Sequence, residues 1–283
     1  MALESIITPK RAEGAPWKMF FVGVLYSTFA VFLSIWIFKA YASIIMVLLT
    51  VIASVPLMYS TMKSQEKIVV KFKDEKAILK RHGEVLKYLL FLFGGFVVSY
   101  SFWFIVLPST TVQFLFSSQI ETISAINSKI VGEAISSSAI FLQIFLNNFK
   151  VLLFAIFFAF FYGAGAIFIL TWNASVISAA LGGFVKDKLA VYAASIGATG
   201  VFQYFQSYSL GFLRYSIHGI PEIAAYFIGG LAGSIISFAV INRDLEGSHY
   251  KKIMVDVIQL TLIAIAVLII AALLEVYVTP IFF

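Results

Sequence analysis

Cysteine is absent from all 283 residues. That excludes disulfides, thiolate metal centres and a cysteine nucleophile, and it leaves the redox compartment unreadable. Charge is scarce: Asp, Glu, Lys and Arg make up 12% of the chain, against about 25% in a soluble domain. Histidine occurs three times, at His82, His218 and His249, in segments far apart. A zinc centre needs three or four converging ligands, so no metal site is expected. Nor is there a P-loop, a dinucleotide-binding glycine fingerprint, a Gly-x-Ser-x-Gly elbow or a His-Glu-x-x-His motif, and no cofactor is expected.

Apolar residues dominate instead: 61% of the chain is hydrophobic, with 30 Phe and 13 Tyr, and the mean hydropathy is +0.99. That composition identifies an integral membrane protein, and runs of about 20 apolar residues mark its spans. Met19 to Phe38 is the first, with no small-residue cleavage pattern and a second run close behind, so it reads as a retained helix. A turn at Lys39-Ala-Tyr41 leads into Ala42 to Ser60. Leu86 to Leu107 follows, closed by Pro108. The later spans read as Val151–Trp172, Leu189–Leu213, Pro221–Ile241 and Ile253–Leu274. The fold class is thus all-α: a polytopic membrane protein with about seven transmembrane helices.

Two connecting stretches have their own character. Residues 61–87 carry eight basic residues, relieved by Glu66, Asp74, Glu75 and Glu84. They read as a cytoplasmic connector; an amphipathic helix on anionic headgroups is the alternative. Residues 109–146 are rich in Ser, Thr, Gln and Asn, with Ile120, Ile123, Ile126, Ile130 and Ile135 near helical spacing and Glu121, Lys129 and Glu133 as the charges. These predict one or two amphipathic helices on the outer face, between spans three and four. With the N-terminus cytoplasmic and the C-terminus outside, sixteen basic residues fall inside and four outside. The net charge of +6 is then an orientation signal, and no nucleic-acid partner is expected. Residues 1–84 form an N-terminal hairpin plus the basic loop, and residues 85–283 a second membrane domain.

His218-Gly-Ile-Pro-Glu222 is the stretch around which the rest is organised. An ionisable pair beside an apolar span is costly, roughly 2.5–3.5 kcal/mol for a charge at the centre of a membrane helix. His218 and Glu222 share a face if the helix is continuous. Pro221 suits a first helical turn, which would make Glu222 a helix-start carboxylate favoured by the dipole. Arg214 and His218 mark the preceding outer turn. Asn147 and Asn148 stand at the expected start of the fourth span, where an asparagine is an ordinary N-cap. One of them is expected to reach the His218–Glu222 turn. Gln203, Gln206 and Ser207 lie inside a span, as interhelical hydrogen-bonding groups or as the lining of a polar path. Gly229 and Gly233 are spaced for close helix packing.

Asn147-Asn148 at the start of an apolar, Gly-rich helix, Asn173 at its far end, and the His218-Gly-Ile-Pro-Glu222 element before a Gly/Ala-rich helix resemble the SpoIIM family (stage II sporulation protein M) over roughly residues 85–275. Members often have Asn-Gly where this chain has Asn173-Ala174. The resemblance implies an integral membrane protein, found also outside spore formers. In spore formers the member anchors a complex that remodels the cell wall during engulfment, recruiting hydrolases without cutting the wall itself. No catalytic role is carried over to any residue. The expected function is a non-enzymatic scaffold in the cell membrane, with membrane lipids and other membrane or envelope proteins as partners and homodimerisation through a Gly-rich helix. A small-solute or lipid transporter is the alternative, and an intramembrane hydrolase using Glu222 and His218 the third.

Overall fold

The computed structural model describes residues 9–71, 74–130, 137–162, 165–196, 199–243 and 250–282. Phe72, Lys73, Glu133, Ile135, Gly163, Asp244 and His249 lie outside the described residues. A short helix α1 (Pro9–Gly14) precedes α2 (Lys18–Ile37). A 3-10 turn at Lys39–Tyr41 then leads into α3 (Ala42–Lys71) and α4 (Glu75–Val106). Two short helices, α5 (Ser109–Leu115) and α6 (Ser117–Ile130), are followed by α7 (Ser137–Tyr162), α8 (Ala166–Ile196), α9 (Val201–Ile241) and α10 (Tyr250–Leu273). A π-turn at Leu274–Val278 and α11 (Thr279–Phe282) end the chain. Seven of these helices are long and apolar enough to cross a membrane, by length and composition.

Three spans sit elsewhere than their hydropathy indicates. The expected fourth span, Val151–Trp172, is cut near Gly165, where α7 ends and α8 begins. The reason is a close approach of chain to chain: a Cβ on Gly165 would collide with the backbone oxygen of Phe158. The expected fifth span, Leu189–Leu213, is cut at Gly200, which opens α9. The expected sixth, Pro221–Ile241, is only the second half of the 41-residue α9, a helix about twice the length a bilayer requires. Lys186 and Lys188, expected in a cytoplasmic turn, lie within α8. Lys186 Nζ stands 5.1 Å from the centre of the Phe104 ring, at the opposite end of the bundle from Lys71 and Glu75.

The described residues of the basic stretch 61–87 are almost all helical rather than a solvated connector. They consist of the last turns of α3 and the first turns of α4, with Asp74 as N-cap accepting from the Lys76 N–H at 3.1 Å. Val69, Ile78 and Val85 are buried there, so a row of apolar residues extends the core beyond the hydropathic span. The division expected near residue 84 falls inside continuous α4. Residues 109–130 do form two helices, whereas 137–146 belong to α7. Gln119 locks α6 to the bundle: fully buried, it accepts from Ser43 Oγ at 2.8 Å and donates to Ser175 Oγ at 3.1 Å.

Helix α9 is the centre, with 83% of its span window buried, against 22% for α7 and 28% for α2. Gly229 faces Leu152 and Ile156, and Gly233 faces Ile156 and Ala159, so α9 and α7 run parallel in close contact. On the other side of the bundle, α2 packs against α4 through Gly23 and Gly95, backbone against backbone. Hydroxyl pairs join the remaining helices: Thr28–Ser99 at 3.0 Å, Thr50–Tyr100 at 2.7 Å, Thr61–Tyr88 at 2.6 Å and Ser101–Tyr208 at 2.9 Å. In hydrocarbon such bonds and small-residue contacts carry the packing, because apolar side chains gain little by leaving lipid for protein.

Candidate functional site

Arg214, His218, Glu222 and Tyr226 recur every four residues along α9 and form one stripe. The stripe is continuous because α9 does not break at Pro221. The expected helix-start turn is absent, and Pro221 lies in the helix interior, where its ring supplies no N–H to the carbonyl of Ile217. Twenty residues of helix already precede Pro221, eleven of them apolar or aromatic, and a helix of that length absorbs the lost bond. The Tyr226 hydroxyl donates to Glu222 Oε1 at 2.8 Å. His218 Nδ1 lies 3.3 Å from Thr279 Oγ1, and Thr279 Oγ1 lies 3.1 Å from the carbonyl of Leu274. The π-turn at Leu274–Val278 presents this face of the last span: its wider loop brings Thr279 against His218. Glu275 stands on the same π-turn. Single π-turns inside membrane-length helices are often found at functional sites. His218 and Glu222 share a face yet bond to separate partners rather than to each other.

Arg214 lies within α9, not in an outer turn, with its guanidinium 5.6 Å from the centre of the Phe184 ring. Asn147 and Asn148 fall in the interior of α7, so neither is an N-cap; Asn147 is exposed and Asn148 buried. Neither hydrogen-bonds to His218 or Glu222 among the described residues. Asn173 is on α8, one helix later than expected, and its Nδ2 donates to the carbonyl of Ile169 in its own helix at 2.8 Å. Gln203 caps α9: its Oε1 accepts from the Gly200 N–H at 2.9 Å, a local role rather than a path lining. Gln206 is half-buried next to Ser207, whose buried hydroxyl has no partner among the described residues. The structure therefore gathers Arg214, His218, Pro221 and Glu222, and leaves the asparagines and glutamines apart.

A second polar cluster, unforeseen in the sequence, lies at the end of the bundle that carries Lys71 and Glu75. His82 is 4% exposed; its Nδ1 lies 3.0 Å from Gln65 Oε1 and its Nε2 3.2 Å from Asp256 Oδ2. Beside it, Asn242 Nδ2 donates to Glu66 Oε2 at 3.1 Å. Gln65, Glu66 and Asp256 are buried too. This network ties α3 and α4 to α9 and α10. One signal pointed to it: Asp256 is a lone carboxylate four residues into an otherwise apolar run.

Seven apolar helices, with polar side chains turned inward onto one another, define a polytopic helical membrane protein. The chain belongs to the SpoIIM family (Stage II sporulation protein M), whose model matches residues 88–280. No curated protein and no solved structure matches it. The matched segment holds the His218–Glu222 stripe, Asn147, Asn148, Asn173 and Asp256. Gln65, Glu66 and His82 precede it, so the second cluster joins the N-terminal helices to the family segment.

Removing the Tyr226 hydroxyl tests how firmly Glu222 is held. Tyr226→Phe is expected to cost about 1 kcal/mol, the net worth of one hydrogen bond. The loss would be read as a lower unfolding midpoint of the purified protein in mild detergent. No change in midpoint would mean that Glu222 has another donor available.

Proposed function

We propose that the protein is a membrane scaffold that docks partner proteins of the membrane or envelope, with its α5–α6 face outside the cytoplasm and its N-terminus inside. The observation that supports this most is the closure of the polar stripe: Glu222 is occupied by Tyr226 and His218 by Thr279. A solute path or a hydrolytic centre would leave such groups open toward a cavity, and the groove of about 410 Å³ between α2, α4, α8 and α9 has mostly apolar walls. The α5–α6 face is built for contact. Helix α6 is pinned by Gln119 and presents Ser117, Glu121 and Ser124 outward. A rigid, polar, membrane-adjacent helix suits recognition of a folded partner domain.

The test is a tagged chain cross-linked in its native host and purified in mild detergent, with Glu121→Lys and Glu222→Gln in parallel. The expected result is a partner in fixed stoichiometry with the wild type, weakened in Glu121→Lys. Loss in Glu222→Gln as well would extend the dock to the stripe. Recovery of the wild type alone would overturn the scaffold reading.

Ion-coupled transport is the second reading, and the presence of the carboxylic residues Glu222 and Glu275 within two apolar spans favours it. Ionisable groups in such positions mark ion and proton routes in many transporters. Proteoliposomes holding the wild type but not Glu222→Gln would then acidify under an imposed ion gradient.

A further inference from the structure

A groove of about 410 Å³ opens between α2, α4, α8 and α9. Thirteen of its sixteen lining residues are apolar or glycine; the polar ones are Lys87 at one end and Tyr215 and Ser216 elsewhere on the wall. Phe91 and Ile220 line it and are 44% and 56% exposed, so it opens sideways, where the surrounding medium is lipid. Water is a poor occupant, because an ordered water needs two to four polar partners. A partner helix is too wide, at a diameter of about 10 Å. From Lys87 to Val98 the groove follows twelve residues of α4, eleven rises or about 16 Å of helix. That is close to half of a hydrocarbon core about 30 Å thick, one leaflet. Lys87, the exposed cation, stands at the end toward the basic helical turns, where headgroups of that leaflet lie.

We propose that this groove is a lipid site that holds one acyl chain of an anionic phospholipid, with the lipid phosphate at Lys87. The length selects a single chain within one leaflet, and the terminal lysine selects a negative headgroup. Two glycines keep the groove open. A Cβ on Gly219 would meet nothing within 4 Å, and one on Gly94 would only touch Phe20 Cδ2 at 3.8 Å. Neither glycine is required by helix packing, and a larger side chain at either position would enter the groove. This proposal is independent of whether the protein acts as scaffold or transporter.

The test places the full chain in phosphatidylcholine nanodiscs with a trace of phosphatidylglycerol bearing a diazirine on its acyl chain. Irradiation, digestion and mass spectrometry then map the adducts. Adducts are expected on Phe91–Val98 and Gly219–Ile223, at about fivefold the yield of a phosphatidylcholine probe with the same chain, the preference one lysine confers. Gly219→Leu and Gly94→Leu should each lower the yield at least about tenfold, as if two methylenes were expelled from the groove. Lys87→Gln should abolish the anionic preference and retain the neutral-probe adduct. Excess inorganic phosphate should compete with neither probe. Adducts that map elsewhere in the wild type, or persist in the leucine variants, would overturn the site. An unchanged preference in Lys87→Gln, or displacement by inorganic phosphate, would overturn the headgroup assignment. Gel filtration and circular dichroism check folding, and should a leucine variant misfold, the wild-type map decides.

Discussion

Asp256→Ala is expected to lower the stability of the protein by about 3 kcal/mol, the upper end for leaving a buried hydrogen-bonding group without its partner. The side chains of His82 and Asp256 are 4% and 7% exposed, and water cannot easily take the place of the lost carboxylate. His82 Nε2 would be left without an acceptor while Nδ1 remains held by Gln65. Asp256→Asn keeps the volume and one acceptor oxygen, so it should cost less. His82→Ala should cost a similar amount to Asp256→Ala, and the double variant much less than the sum, with a coupling of about 1–3 kcal/mol. Replacing both by leucine should recover most of the loss, because a packed apolar pair needs no partner. Denaturant titration in detergent, followed by tryptophan fluorescence, measures all five variants. Additive effects would mean that the two side chains do not act as a pair. Limited proteolysis adds a structural reading: the helices before residue 88 should become more susceptible in Asp256→Ala, because this contact holds them to the family segment.

Gly95→Ala is expected to have the next largest effect, about 2–3 kcal/mol, at the upper end for overpacking. Its new Cβ would collide with the backbone oxygen of Phe20 and stand 2.9 Å from the amide nitrogen of Val24. A flexible side chain could turn away, but a helix backbone cannot, so α2 must move as a body. Gly23→Ala meets the same difficulty from the other side, against the carbonyl of Leu92. The absence of native cysteine makes the displacement measurable. Thr28→Cys with Ser99→Cys places two thiols where hydroxyls now lie 3.0 Å apart, and disulfide formation should be efficient in the parent and slow with Gly95→Ala. Equal rates would show that α2 does not move. Gly83→Ala is the contrast: nothing lies within 4 Å of its added Cβ, so it should be neutral or stabilise by up to about 1 kcal/mol through helix propensity.

The regularities visible in the chain differ in how local they are. Met19–Phe38, Leu86–Leu107 and Ile253–Leu274 match α2, the apolar part of α4 and α10 closely, because turns or a proline bound each run. Between residues 137 and 241 the polar groups that look like edges, Asn147-Asn148, Lys186 to Lys188 and Arg214, lie inside helices, so hydropathy sets the span ends in the wrong places. The breaks at Gly165 and Gly200 depend on backbone approach and capping, which leave only a glycine in the sequence. The spacing of His218 and Glu222 was enough to put them on one face. Their separate partners, Thr279 and Tyr226, required α9 to pass through Pro221 and the last span to widen into a π-turn.

Composition by itself determined that this chain is a helical membrane protein of about seven spans, because partition between water and hydrocarbon depends on residue type summed over about twenty positions. The family too was legible, since its motif is a short pattern of residues. Only the tertiary structure decided where three of the spans begin, which polar groups meet, and that His82 and Asp256, 174 positions apart, form one buried contact. Contacts across such distances depend on helix register and packing, and neither is written in any local stretch of sequence.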